Sequence, residues 1–360
     1  MIEQLNYTTT PAYNLPPSIE DLQLPQTFIE LSQSTMKNIE SKFLQPQQTR
    51  PNQSQTEHIA EATPIMKIQQ SSTINTIHLE PTQTEKPVVA VDVSSIRIGE
   101  TETGELCAIR GAIVWKEKNR YKYQRIGPFP FHITEQNKKE IQQLFRNNHF
   151  EFQEAPNIYN LQTRIGNLFE RWLQLSISCS AYGTIILWDG SMTAGMIDSP
   201  VNEIARLLEI ARNRLSTVLA FSKNTNLRFS GHKLTDYAEK TVPPCLLQIN
   251  GFQASSGHVL LLGNIYVAKL TRGVCSFRLD IDKKVPQEQG IDAVQCLLGS
   301  DLLIQSYPET LRLAHIYSIF TATEVIGIQR FIARQYGLRI ITRPNVRRLL
   351  FGPFGKGVEG

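Results

Sequence analysis

The sequence predicts a mixed α/β fold built on one large sheet. Three strand-like segments follow one another from residue 87, and the later strand-like segments are separated by amphipathic helical segments. Successive strands with short connections favour an antiparallel meander, whereas strands that alternate with helices favour parallel neighbours. The two patterns together predict a mixed sheet that is flanked by helices.

The first 86 residues differ in composition from the rest of the chain. They are rich in Gln, Thr, Asn, Ser and Pro, and they carry 5 Lys and Arg against 9 Asp and Glu. Apolar residues at near-helical spacing predict one amphipathic helix from about Pro25 to Leu44. The stretch from Gln45 to Lys86 has no sustained period, which is typical of a polar, flexible linker. We therefore divide the chain into residues 1–86, a helix plus linker, and residues 87–360, one folded domain.

The strands and helices that follow Pro87 are predicted from their periodicity. The run PVVAVDVSS is β-branched and is bounded by turn residues, as strands often are. GTIILWDGS is a short, fully apolar run that is typical of a buried central strand. The other predicted strands are Glu105–Trp115, Tyr121–Ile126, 215–223, His258–Leu270 and Val274–Ile281. The predicted helices are Thr134–Asn147, Ile158–Leu175, Pro200–Arg214 and a long C-terminal helix, Pro308–Tyr336.

Composition excludes several classes of protein. With 360 residues, 41% of them hydrophobic, the chain can bury a core without disulfides. Its five cysteines are widely spaced and include no C-x-x-C, which argues against a disulfide framework and a thiolate zinc site. No apolar run approaches the ~18–20 residues of a membrane span, and the N-terminus lacks the features of a signal peptide. We therefore expect a cytoplasmic protein without a membrane partner.

The charge is distributed unevenly along the chain. The overall formal charge of +4 is the sum of −4 for residues 1–86 and +8 for residues 87–360. A basic domain permits a polyanionic partner such as a nucleic acid, and an ordinary solvated surface is the alternative.

Two aspartates follow apolar strands at corresponding places. Asp92 follows PVVAV and Asp189 follows IILW. A carboxylate at the end of a buried strand is costly unless it is paired, hydrogen-bonded or bound to a cation. On neighbouring strands the two would form an all-oxygen site that suits Mg²⁺ or Mn²⁺. The alternative is that each aspartate caps the turn that follows it.

Glu170 lies on the amphipathic helix between these two strands. Asp on the first strand, Glu on the helix after the third strand and Asp on the fourth strand is the layout of a ribonuclease H-like nuclease site. In such sites clustered carboxylates hold two divalent ions for phosphoryl transfer. The predicted fold is therefore a ribonuclease H-like mixed sheet with additional strands and a long C-terminal helix. A surface glutamate paired with Arg164 or Arg171 is the alternative.

Five motifs together resemble the NurA nuclease family. AVDVSS and ILWDGSM are similar to its two aspartate motifs, and AFSKNTN is similar to its Ser-Lys segment and contains Lys223. FRLDID resembles its Arg-x-Asp strand and places Asp280 as the matching acid. SYPETLRLAHIYSIF resembles its final motif, in which the His of an Ala-His pair, here His315, follows Tyr307 by eight positions. The match is collinear over about residues 87–340.

The resemblance implies a metal-dependent deoxyribonuclease with 5′-to-3′ exonuclease and single-strand endonuclease activity. It implies DNA as substrate, a homodimer, and a hexameric HerA-type ATPase as partner in DNA-end resection and repair. The implied ligands of two Mn²⁺ or Mg²⁺ ions are Asp92, Glu170, Asp189 and His315. Lys223 would stabilise charge on the phosphate, Tyr307 would orient the phosphate or stack on a base, and Asp280 is a candidate further acid.

Several alternatives remain open at this level. The family's glycine after the first aspartate is Val93 here, which is compatible with a catalytically inactive DNA-binding scaffold or translocase regulator. A different ribonuclease H-like enzyme, selective for branched DNA or for RNA, is a third hypothesis. His315, Lys223 and Tyr307 could also be ordinary packing or surface residues.

The C-terminal tail contains three arginines that could bind a DNA backbone or pack at a dimer interface; they are Arg343, Arg347 and Arg348. We expect residues 1–86 to be dispensable for cleavage.

Overall fold

The structure is a computed structural model, and it describes residues 26–37, 39, 41–46, 66–68, 74–117, 120–141, 158–195, 199–225, 227–249, 252–254 and 259–341. The helices are α1 Gln26–Lys37, α2 Ile158–Ser180, α3 Val201–Asn213, α4 Gln287–Ser300, α5 Glu309–Ser318 and α6 Ala322–Gln335, with a 3-10 helix at Leu234–Ala238. The strands before α3 are β1 Phe43–Pro46, β2 Met66–Ile68, β3 Ile74–His78, β4 Val88–Glu100, β5 Gly104–Glu117, β6 Arg120–Thr134, β7 Ile185–Asp189 and β8 Thr193–Ala194. The later strands are β9 Thr217–Ser222, β10 Arg228–Phe229, β11 His232–Lys233, β12 Cys245–Ile249, β13 Phe252–Ala254, β14 Leu260–Leu261, β15 Gly263–Lys269, β16 Phe277–Asp282, β17 Leu303–Ile304, β18 Tyr307–Pro308 and β19 Arg339–Ile340.

Five strands form the centre of the sheet in the order β6-β5-β4-β7-β9. β4, β5 and β6 are an antiparallel meander, while β4 pairs with β7, and β7 with β9, in parallel. The first strand of the meander thus lies in the middle, and each parallel connection runs through a helix, α2 or α3. This is the ribonuclease H-like arrangement, so the predicted fold class is confirmed.

Additional strands extend the sheet on both sides of this centre. β16, β15, β12 and β3 continue it beyond β9, each antiparallel to its neighbour. β1 pairs with the far end of β4 and lies parallel to β19. β3 and β1 come from the first 86 residues, so described parts of the N-terminal segment belong to the main sheet.

α1 packs its apolar face into the core between the meander and α2. Phe28 is fully buried and stacks on Phe169, and it makes edge contacts with Phe129, Phe131 and Trp172. Ser32 donates a hydrogen bond to the carbonyl of Pro130 over 2.7 Å, which fixes the helix to β6.

The helix predicted from about Pro25 to Leu44 ends earlier, at Lys37. Leu44 lies in β1 and its side chain is buried. This segment is a strand and not part of the helix, because pairing with β4 and β19 satisfies its backbone hydrogen bonds. The division of the chain into residues 1–86 and 87–360 stays a prediction.

The C-terminal helical region is interrupted at residues 319–321, between α5 and α6. Thr321 is the N-cap of α6: its hydroxyl accepts from the Glu324 N–H, and the Glu324 carboxylate accepts from the Thr321 N–H. This capping box makes the interruption a second helix start. The predicted helix at Thr134–Asn147 is helical at 138–141, and its remainder lies outside the described residues. No helix in the described part of the chain is long and apolar enough to cross a membrane.

Candidate active site

The two predicted aspartates lie side by side on neighbouring strands. The parallel register of β4 and β7 pairs Ala90 with Leu187, and Asp92 and Asp189 each come two positions later. Equal spacing from a paired position places both carboxylates at the same level of the sheet. Asp189 is the last residue of β7, as the sequence predicts.

Asp92 differs from the prediction, because it lies within β4 and not at its end. The antiparallel ladder with β5 continues past it, pairing Asp92 with Ala112 and Val93 with Gly111. Val93 is buried in the core. A residue in a regular strand needs no glycine, so valine at position 93 fits the backbone here.

Asp92, Asp189 and His315 form one group of candidate metal ligands. One ligand atom from each lies within 4.8 Å of the others, and Asp92 is buried while the other two are partly exposed. Two carboxylate oxygens and an imidazole nitrogen are a donor set that suits Mn²⁺ or Mg²⁺. The convergence of three ligands from β4, β7 and α5 therefore forms a site that a divalent cation fits.

α5 carries two residues that contact the same oxygen of Asp92. His315 Nδ1 lies 3.2 Å from Asp92 Oδ2, and Ser318 Oγ donates a short hydrogen bond to that oxygen. His315 donates to this oxygen in the tautomer that carries the ring proton on Nδ1. Sequence reasoning missed Ser318; the available signal was its i+3 spacing from His315 on a helix, which puts both on one face.

Lys223, directly after β9, forms an ion pair with Asp189. Its Nζ lies 2.6 Å from Asp189 Oδ2. Burial raises the pKa of Asp189, and the ammonium group of Lys223 opposes that effect. The lysine thus supplies a positive charge at the carboxylate that ends β7.

Glu170 lies close to these aspartates but outside the three-residue ligand group. Gln174 donates a 3.0 Å hydrogen bond to its Oε1. Burial raises the pKa of Glu170 to about 8; Arg171 opposes this rise, while the charges of Asp92 and Asp189 add to it. The charge of Glu170 on α2 is thus coupled to the charges of both aspartates.

Tyr307 contributes a buried hydroxyl without a hydrogen-bond partner among the described residues. Its ring packs against Phe221 and Phe277, and Lys223 Nζ lies 5.7 Å from the ring centroid. Burial raises the pKa of Tyr307, and the negative charges of Asp189 and Asp92 raise it further. A neutral donor is therefore held beside the site with its hydrogen bond unmade.

Asp280 is placed apart from the ligand group and has its own partners. Arg278 binds both of its carboxylate oxygens, at 2.7 and 2.6 Å, and the Met192 N–H donates to Oδ2 over 2.9 Å. Since Met192 lies three residues after Asp189, this buried ion pair fixes the turn that follows β7. The predicted DNA-binding residues Arg343, Arg347 and Arg348 lie outside the described residues.

No protein-family model matches the sequence, and no curated protein matches it. Among solved structures, the chain is similar to the NurA nuclease from Sulfolobus solfataricus, at 16% identity and a TM-score of 0.46, over 72% of this chain and 87% of that chain. It is also similar to endonuclease V of Bacillus subtilis, at 10% identity and a TM-score of 0.33, over 72% and 88%. Endonuclease V of Ciona intestinalis, in complex with DNA containing inosine, follows at 12% identity and a TM-score of 0.32, over 69% and 92%.

Proposed function

We propose that this protein is a divalent-metal-dependent nuclease that hydrolyses phosphodiester bonds in DNA. The observation that carries the proposal is the convergence of Asp92, Asp189 and His315 within 4.8 Å, with Lys223 paired to one of the carboxylates. A cluster of like charges on central strands is costly unless a cation compensates it.

The proposed metal site uses Asp92, Asp189 and His315, with Glu170 as a further ligand if a second ion binds. A bound divalent cation would act as a Lewis acid on the phosphate and make a water molecule a stronger nucleophile. A cation near Glu170 favours its ionised form, so we expect the Glu170 proton to leave when metal is bound.

The remaining residues act on the phosphate and on the ligands. Lys223 donates from its ammonium group to a phosphate oxygen and stabilises the charge that develops when the leaving 3′ oxygen departs. Tyr307 donates its unpartnered hydroxyl to the same phosphate and thereby orients it. Ser318 holds Asp92 in position, and Asp280 holds the turn after Asp189 through Met192.

The resemblance of the motifs to the NurA family supports a finer proposal. In it the enzyme is a cytoplasmic homodimer that uses two Mn²⁺ or Mg²⁺ ions. It degrades DNA as a 5′-to-3′ exonuclease and a single-strand endonuclease, in DNA-end resection and repair with a HerA-type hexameric ATPase.

The proposal is tested with Asp92→Asn and Asp189→Asn. Each change removes a ligand charge while it keeps the side-chain shape, so cleavage of labelled single-stranded DNA with Mn²⁺ should fall at least about 100-fold. Titration calorimetry with Mn²⁺ should show the loss of binding in the same variants. Asp292→Asn, at an exposed aspartate on α4, is the matched control and should behave as the parent does.

Parent-like cleavage by either variant would show that the site is assigned to the wrong residues. Parallel assays on RNA, linear duplex and branched DNA decide the substrate class, and preference for RNA or branched DNA would contradict the proposed one. A parent protein that binds Mn²⁺ and cuts no substrate would favour the inactive DNA-binding scaffold.

A further inference from the structure

A small basic hairpin begins five residues after Lys223 along the chain. It consists of residues 228–233, in which β10 and β11 pair antiparallel, and we call it the basic hairpin. Arg228 and Lys233 are exposed, and the hairpin itself contains no acidic residue. In the described part of the chain neither residue takes part in an ion pair.

The hairpin is held rigidly at its base. The Leu234 N–H donates to the Leu227 carbonyl over 3.0 Å, and both leucine side chains are buried. Tyr237 donates its hydroxyl to the Phe229 carbonyl over 2.8 Å and packs edge-on against the Phe229 ring. The cations are therefore presented on a fixed element and not on a mobile loop.

The positive charges of Arg228 and Lys233 repel each other and thereby destabilise the hairpin. Arg228 lies directly opposite Lys233 in the antiparallel register. Like charges at directly opposed positions of a strand pair are destabilising. An anionic ligand between or beside them would relieve this repulsion, which makes the pair a candidate anion site.

The position of the hairpin limits what that anion can be. Lys223 is five residues before Arg228, so their Cα atoms are no more than about 18 Å apart. That distance corresponds to about five nucleotides along one strand of B-form DNA. A polymer whose scissile phosphate lies at Lys223 can reach the hairpin with a phosphate a few nucleotides away.

We infer that the basic hairpin binds the phosphate backbone of the nucleic-acid strand outside the scissile position. The inference rests on the proposed nuclease function for its choice of ligand. Binding of DNA without metal tests it independently of cleavage, because backbone contacts need no chemistry at the metal site.

The test compares three double variants with the parent. Arg228→Glu with Lys233→Glu reverses both charges and keeps the like-charge pairing, while Arg228→Thr with Lys233→Thr removes the charges and the repulsion. Arg330→Glu with Arg334→Glu, at exposed positions on α6, is the matched control for net charge. Affinity for a labelled 20-nucleotide single strand is measured in EDTA by fluorescence anisotropy at several salt concentrations, beside urea unfolding of each variant.

We expect both hairpin variants to bind at least about tenfold more weakly than the parent and control. The slope of log K against log salt should become less negative by about 1.4, because two phosphate contacts are lost and each contributes about 0.7 on a single strand. The Thr variant should unfold at the same or a higher urea concentration than the parent.

Equal affinities for parent and hairpin variants, or an equal loss in the control, would overturn the inference. A parent that does not bind the strand at all would overturn it as well. A parent that binds the strand but cleaves nothing would contradict the proposed nuclease function. The comparison of strand affinities would still test the basic hairpin in that case.

Discussion

The contacts at Asp92 decide which of its oxygens is free for a cation. Oδ2 accepts from Ser318 and lies against His315, whereas no hydrogen bond to Oδ1 is made by the described residues. A carboxylate fixed through one oxygen presents the other in a defined direction. Ser318 is thus a positioning residue, which acts on the site through Asp92.

Glu170 gives a prediction about pH in the metal-free protein. Its pKa is raised to about 8 from an ordinary value of 4.5, so between these pH values the native state binds more protons than the unfolded state. The free energy of unfolding should therefore fall as the pH rises from about 4.5 to about 8. Glu170→Gln should remove this part of the fall and be more stable than the parent at pH 8.5 in EDTA, by on the order of a few kcal/mol.

The measurement is urea unfolding in EDTA at pH 5, 6.5 and 8.5. Glu209→Gln, at an exposed glutamate on α3, is the control and should follow the parent at every pH. Parent and Glu170→Gln curves that run parallel across this range would show that Glu170 has no raised pKa.

Individual site residues were predictable to different degrees. Asp92 and Asp189 were predicted because a carboxylate beside a buried apolar strand is rare, since burying an unpaired charge costs free energy. Ser318 was not, because a serine near a helix end has many ordinary roles and its contact with Asp92 joins residues 226 positions apart. Asp280 was identified as an acid of interest, yet its bonds to Arg278 and Met192 are visible only in three dimensions.

The start of α6 shows how one element is held in place. Glu324 caps its own helix and also binds Arg110 and Arg125, at 3.1 and 2.6 Å. Arg110 is buried on β5, and its guanidinium lies 4.2 Å from the ring centroid of Phe320. The interruption between α5 and α6 is thereby anchored to the meander, and α5 ends where His315 and Ser318 face the site.

Two substitutions test this anchor. Thr321→Ala removes the cap and should lower the free energy of unfolding by about 1 kcal/mol. Glu324→Gln should lower it more, by about 2 kcal/mol, because buried Arg110 then lacks its charged partner. Burial raises the pKa of Glu324, but hydrogen bonds from Thr321, Arg110 and Arg125 outweigh it and lower the pKa to about 2.

The sign of the pH effect is opposite to that at Glu170. The stabilisation by Glu324 is present above about pH 4.5 and is lost as the pH falls toward 2. The free energy of unfolding of the parent, measured with urea, should therefore fall over this range more than that of Glu324→Gln. A difference between the two that does not change with pH would contradict the ion-pair interpretation.

Elements were predicted better than their ends. The meander, the buried strand β7 and the helices α2 and α3 follow from periodicity, because each buries one face or both. The interruption at residues 319–321 was missed because apolar spacing continues across it. The Thr-x-x-Glu signature at Thr321 and Glu324 was the available signal.

At the scale of the whole molecule, α1 is part of the core. Phe28→Ala should lower the free energy of unfolding by about 3–5 kcal/mol, because it empties a fully buried site among aromatic rings. Gln26→Ala, at an exposed position of the same helix, is the control and should have little effect.

Because α1 is part of the core, we expect deletion of residues 1–86 to destabilise the fold and lower cleavage with it. A deletion variant as stable and active as the parent would restore the view of this segment as dispensable.

The whole sheet was predictable in class but not in extent. The ribonuclease H-like centre follows from the order of strands and helices, which local sequence encodes. The outer strands β1 and β3 are short and lie in polar sequence, so their pairing with β4 and β12 depends on partners far along the chain.

The separation of Asp92 from His315 has a consequence for how the protein is made. The two side chains meet across 223 positions of sequence, and chains emerge from the ribosome with the N-terminal part first. A growing chain therefore carries β4 and β7 long before α5 is available, and it has two site aspartates but no histidine. The group of three candidate ligands is therefore complete only after synthesis has passed α5.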